Sequence, residues 1–168
     1  AYHEAGHAVA AYLLGCYAGH CSIKPVEFAR GFALRSLTLR QPLPGTVDFN
    51  PAERPPDAVS LSGQLAYLYA GIVAQRLLCI QQGVSPDSIR PSHDMYSDIH
   101  TAQGLVSDRS EAEQIELLHS AEKQAMEFLT DPHNWQLVER IAAKLLEVEE
   151  LDRHSLSELL SGAQDALF

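Results

Sequence analysis

The chain has 168 residues and a net charge of −10, from 12 basic and 22 acidic side chains, a length that fits one domain with a real core and excludes several independent ones. Its 46% apolar and 20% charged residues show no collagenous, coiled-coil or disordered bias. The acidic excess repels a phosphate backbone and excludes nucleic acid as a partner. It is concentrated late in the chain: from residue 108 onward 14 acids face 5 bases, whereas residues 1–107 hold 8 acids and 7 bases. The expected organisation is a single unit over 1–168, with a nearly charge-balanced part in 1–107 and an acidic helical part in 108–168.

In chain order, residues 1–14 carry apolar groups around a whole helical cylinder, and Gly15 supplies a C-terminal stop, which predicts a mostly buried helix. Residues 21–40 change to short runs, and Phe32, Ala33, Leu34, Leu37, Thr38 and Leu39 read as strand material for a small sheet of two or three strands. Six prolines and glycines in residues 41–56 predict a long irregular loop. The spacing of Leu61, Leu65, Leu68, Ile72, Val73, Leu77 and Leu78 predicts a second long core helix over 57–81, ended by Gly83 and Pro86. A shorter helix is expected over 93–106, capped by Ser92 or Ser97. Ser110 with Glu113 forms a capping box opening a helix to about residue 129, and Asp131-Pro132 opens another to about residue 149. Ser155 with Glu158 predicts the cap of a last short helix. The fold class is α+β with helices dominating.

Cys16, Cys21 and Cys79 are too few for a disulfide framework and point to a reducing, cytoplasmic setting. Residues 5–23 and 58–75 lack Asp, Glu, Lys and Arg, but they carry His7 and His20, and Ser60, Ser62, Gln64 and Gln75. They read as buried segments rather than membrane spans. The chain opens at Ala1 inside a helical segment, so a region upstream is expected.

The sharpest chemical signal is His3-Glu4-Ala5-Gly6-His7, an HExxH on a predicted helix. Helical residues four apart lie about 40° apart around the axis and about 6 Å along it, so both imidazoles reach one ion. Glu4 beside them suits the general-base role rather than ligation. Two histidines leave zinc short of a protein ligand. A third histidine six residues after the second is excluded, because that position is Leu13. The densest remaining group of donors is Ser92-His93-Asp94-Met95-Tyr96-Ser97-Asp98-Ile99-His100, where a carboxylate completes a tetrahedral set.

On these residues the chain resembles the peptidase domain of the FtsH family of ATP-dependent zinc proteases. Residues 2–8, YHEAGHA, are similar to that family's zinc helix; residues 31–38, GFALRSLT, to the strand after it; residues 70–75, AGIVAQ, to its Gly-Gly-x-Ala-Ala-Glu helix. Ser97-Asp98-Ile99 followed by Ala102 resembles the Asn-Asp-Leu segment that carries the third zinc ligand. The resemblance implies one Zn2+ per chain held by His3, His7 and Asp98, Glu4 as the base, and a protein or peptide substrate. Asp94 fits the same pattern less its later alanine and is the rival third ligand. The chain departs from the family at Gln75 and Arg76, where the family has acids, and it has no phosphate-binding Gly-x-x-x-x-Gly-Lys-Ser/Thr motif. The implied activity is zinc-dependent endopeptidase action on unfolded or loosely folded proteins. A separate or upstream ATPase or membrane region, membrane association through it, and a homo-oligomer remain open.

Rival readings are a zinc-binding pseudo-protease acting as an adaptor, a soft metal site at Cys16, His20 and Cys21, and a phosphohydrolase doublet at His93-Asp94. The acidic helices read as a solvated face, with Leu117, Leu118, Met126, Leu137, Ile141, Leu145 and Leu146 as core or an oligomer seam.

Overall fold

A computed structural model describes residues 1–16, 18–24, 47–49, 60–86 and 93–161. The helices are α1 (Tyr2–Leu13), α2 (Leu61–Gln81), α3 (His93–Leu105), α4 (Glu111–Thr130), α5 (Pro132–Val148) and α6 (Arg153–Ser161). The strands are β1 (Ala18–Ser22), β2 (Val47–Phe49) and β3 (Glu150–Asp152). The fold is therefore α+β and mostly helical, with an antiparallel sheet of order β2-β1-β3.

Local chemistry ends these helices where expected. After α1, Gly15 adopts φ +67°, its N–H donates to the Tyr12 carbonyl, and the Cys16 N–H reaches back to Ala11 at 2.8 Å. This closure needs a left-handed residue, which glycine supplies without steric cost. Gly83 closes α2 in the same way, with φ +68° and the Val84 N–H donating to Cys79. At the other end of α2 the Ser60 hydroxyl accepts from the Gly63 N–H, so this helix starts at Leu61 rather than at residue 57. The capping box of Ser110 and Glu113 opens α4, and Asp131 accepts from the His133 and Asn134 N–H groups ahead of α5.

Three expectations are corrected and a fourth is narrowed. The proline-rich segment 41–56 contains a strand, because Val47–Phe49 is a proline-free stretch that pairs with β1. Ser97 lies inside α3 and does not cap it. The cap of α6 is Asp152, whose carboxylate accepts from the Ser155 N–H at 2.8 Å. Leu146, expected in the core or an oligomer seam, is 66% exposed and so lies outside the core; the residues that α5 buries are Trp135, Leu137, Val138, Ile141, Ala142 and Leu145. The strand expected in 31–39 lies outside the described residues, as does Ser92.

The main core gathers Ala5, Ala8 and Val9 of α1, Ala70, Val73 and Ala74 of α2, and Leu137, Val138, Ile141 and Leu145 of α5, closed by Leu151, Leu156 and Leu160. A second cluster of Leu65, Ala102, Val106 and Ala121 joins α2, α3 and α4. The small side chains between α1 and α2 allow close approach: a Cβ on Gly6 would stand 2.5 Å from the Ala70 carbonyl oxygen. α2 thus packs closely against α1 and also meets α3 and α4. Among the described residues no helix is long and apolar enough to cross a membrane.

Candidate metal centre

The HExxH motif lies in the first two turns of α1, and the whole inner part of that helix is buried. His3 is 5% exposed, Glu4 3% and His7 4%. Three titratable side chains among alanines and valine carry a desolvation cost that requires compensation.

Asp98, on α3, supplies part of it. Its Oδ2 stands 2.9 Å from His3 Nε2 and 3.2 Å from His7 Nε2, and the two Nε2 atoms are 3.1 Å apart. The three atoms form a nearly equilateral triangle. Ligands about 2.0–2.1 Å from a tetrahedral zinc ion are separated by about 3.3 Å, so the triangle has almost the dimensions of one face of a zinc coordination shell. Among the described residues, His3, His7 and Asp98 form the group able to hold a metal ion.

Protons alone satisfy this triangle poorly. Each imidazole nitrogen either donates or accepts, and an ionised carboxylate only accepts. If both Nε2 atoms carry protons, they oppose each other across their 3.1 Å edge; if one does not, its lone pair opposes Asp98. A cation at the centre meets all three lone pairs at once. His7 is prepared for that arrangement, since its Nδ1 lies 2.8 Å from the Tyr67 carbonyl oxygen. Donation from Nδ1–H to this carbonyl leaves the Nε2 lone pair facing His3 and Asp98, the usual way a ligand imidazole is oriented.

The electrostatics agree. Burial alone would lower the His7 pKa, but the hydrogen bond and charge of Asp98, with help from Glu4 and the Tyr67 carbonyl, raise it above its ordinary value. Burial pushes the Asp98 carboxyl up, yet the two histidines overcome it and hold it down to about 2. His7 thus holds its proton more tightly than a free imidazole, while Asp98 gives up its own more readily than a free carboxyl.

Gly71, in the middle of α2, leaves room for the triangle. A Cβ there would stand 2.5 Å from His7 Nε2 and 2.7 Å from His3 Cε1. Sequence reasoning found His3, His7 and Asp98 but gave no role to Gly71, although glycine within a helix pattern is itself a signal. The Tyr67 carbonyl has no sequence signal at all, being a backbone group.

Glu4 sits next to His3, and its charge acts on both His7 and Cys21. Asp94 lies one helical turn before Asp98, and its side chain is outside the described set. The rival soft-metal site does not assemble: His20 pairs with Glu150 at 2.5 Å. Burial, with the Glu4 charge, pushes the Cys21 thiol up, away from the thiolate a metal needs. Arg76, at a position where the FtsH resemblance expects an acid, forms an ion pair with Glu122 of α4.

The donor set comprises two imidazoles and one carboxylate, one ligand atom fewer than a closed tetrahedral site. Compared with known proteins, the chain matches no protein-family model, and no curated protein matches it.

Proposed function

We propose that the chain is a zinc-dependent endopeptidase of the FtsH-like type, acting on unfolded or loosely folded protein. The observation that carries this reading is the triangle of His3 Nε2, His7 Nε2 and Asp98 Oδ2, with the acid of the same HExxH motif one residue from His3. His3, His7 and Asp98 hold the ion; zinc, when bound, supplies Lewis acidity that lowers the pKa of water and polarises a carbonyl. Glu4 takes the proton of the attacking water and passes it to the leaving amine. Glu4 is 3% exposed, which keeps it from bulk solvent. Tyr67 keeps His7 in the tautomer that presents Nε2.

A purely structural zinc site favours four protein ligands, commonly including cysteine, and would have no use for Glu4. The test is Glu4→Gln, assayed for zinc content and for cleavage of an unfolded protein such as casein. A peptidase keeps its zinc and loses roughly 100-fold or more of its turnover. If the wild type holds zinc yet cleaves nothing and Glu4→Gln changes no property, the adaptor reading replaces this one.

A further inference from the structure

Two polar atoms near the α1–α2 contact are shut off from solvent and have no hydrogen-bond partner among the described residues: His3 Nδ1 and Gln75 Oε1. The first is a donor in waiting. With His3 Nε2 turned toward an ion, a neutral imidazole keeps its proton on Nδ1. The second is an acceptor, and a buried acceptor without a donor is uncommon in a native interior.

The helix register places Gln75 on the face of α2 that carries Tyr67 and Gly71, toward the histidines. His7 meets Tyr67 through its Nδ1, and the space over Gly71 is bounded by both His7 and His3. Going back one turn along α1, from His7 to His3, therefore corresponds to going forward along α2. His7 is served by positions 67 and 71; His3, four residues earlier, falls between 71 and the next residue on the same face, Gln75. His7 has the Tyr67 carbonyl as its partner on α2, and the residue that follows Gly71 on the face toward His3 is Gln75.

We propose that Gln75 is a positioning residue for the metal centre, its carboxamide oxygen accepting the Nδ1–H of His3 when the ion is bound, as the Tyr67 carbonyl does for His7. It fixes the His3 tautomer and ring plane, and being uncharged it adds no third negative charge to a site that already holds Glu4 and Asp98. This inference rests on the metal-centre reading and deepens it.

The experiment compares zinc affinity, by competition with a chromogenic chelator, in the wild type, Gln75→Met and Gln75→Glu. Methionine keeps the length and removes the acceptor; glutamate restores one. Loss of an orienting partner of a ligand histidine weakens metal binding by roughly 10–100-fold, so Gln75→Met should fall in that range while Gln75→Glu stays within about threefold of wild type or binds more tightly. In the zinc-loaded wild type, nitrogen-resolved NMR should show a His3 Nδ1–H proton protected from exchange, and Gln75→Met should lose that protection. A folded Gln75→Met with wild-type affinity overturns the role of Gln75 and leaves the metal centre standing. A wild type that binds no zinc overturns both. If Gln75→Met does not fold, the wild-type spectrum decides, and absence of a protected His3 Nδ1–H overturns the proposal.

Discussion

Gly71 lies so close to His7 that a methyl group on its Cα would stand 2.5 Å from Nε2, the atom turned toward Asp98. Glycine inside a helix costs about 1 kcal/mol relative to alanine, so its place in the middle of α2 sets helix stability against room for the site. Gly71→Ala should push the imidazoles aside and weaken zinc binding by about 10-fold or more. The control is Gly104→Ala in α3, where an added Cβ meets nothing within 4 Å; it should keep zinc and gain up to about 1 kcal/mol of stability. Chelator competition and urea unfolding on both variants check this.

The pH response should differ in sign with and without metal. In the metal-free chain His7 has a raised pKa, so its contribution to stability is present below its ordinary 6.5 and is lost as pH rises through the raised value. Asp98 is depressed to about 2 from 3.8, so its contribution is present above 3.8 and is lost as pH falls through the lower value. The pair therefore stabilises the metal-free protein most at mildly acidic pH. Zinc competes with the His7 proton, so the extra stability conferred by zinc should grow as pH rises through the same range. Thermal unfolding from pH 5 to 9, with zinc and with chelator, should give two curves that diverge toward high pH.

The α5 stripe makes a stability prediction. Ile141 is fully buried, whereas Leu146 is 66% exposed. Ile141→Ala should cost about 2–5 kcal/mol, and Leu146→Ala should stay within about 0.5 kcal/mol of wild type. Urea denaturation resolves the difference, and comparable losses at both positions would show that Leu146 is covered in solution, as an oligomer seam requires.

What was legible in the sequence follows the range of the forces involved. Helix ends depend on groups within a few residues, so Gly15, Gly83, the Ser110–Glu113 box and the Asp131-Pro132 cap were readable. The two histidines were readable because i,i+4 spacing is a property of the helix itself. The strands were not: β2 and β3 are three residues each and exist through pairing with a distant β1. The cap of α6 went to Asp152 because a carboxylate at the end of β3 reaches the Ser155 N–H before that serine can act. Asp98 came from a resemblance, since nothing local ties it to residues 91 and 95 positions earlier. Tyr67, Gly71 and Gln75 acquire roles only once α2 is laid against α1, which no local pattern announces.

The central claim is that His3, His7 and Asp98 hold one zinc ion, and elemental analysis of the purified wild type, Asp98→Ala and Asp94→Ala tests it most directly. The account predicts about one zinc per wild-type chain, retained in Asp94→Ala and lost in Asp98→Ala. A wild type that has been supplied with zinc, kept from chelators and still carries none would contradict it.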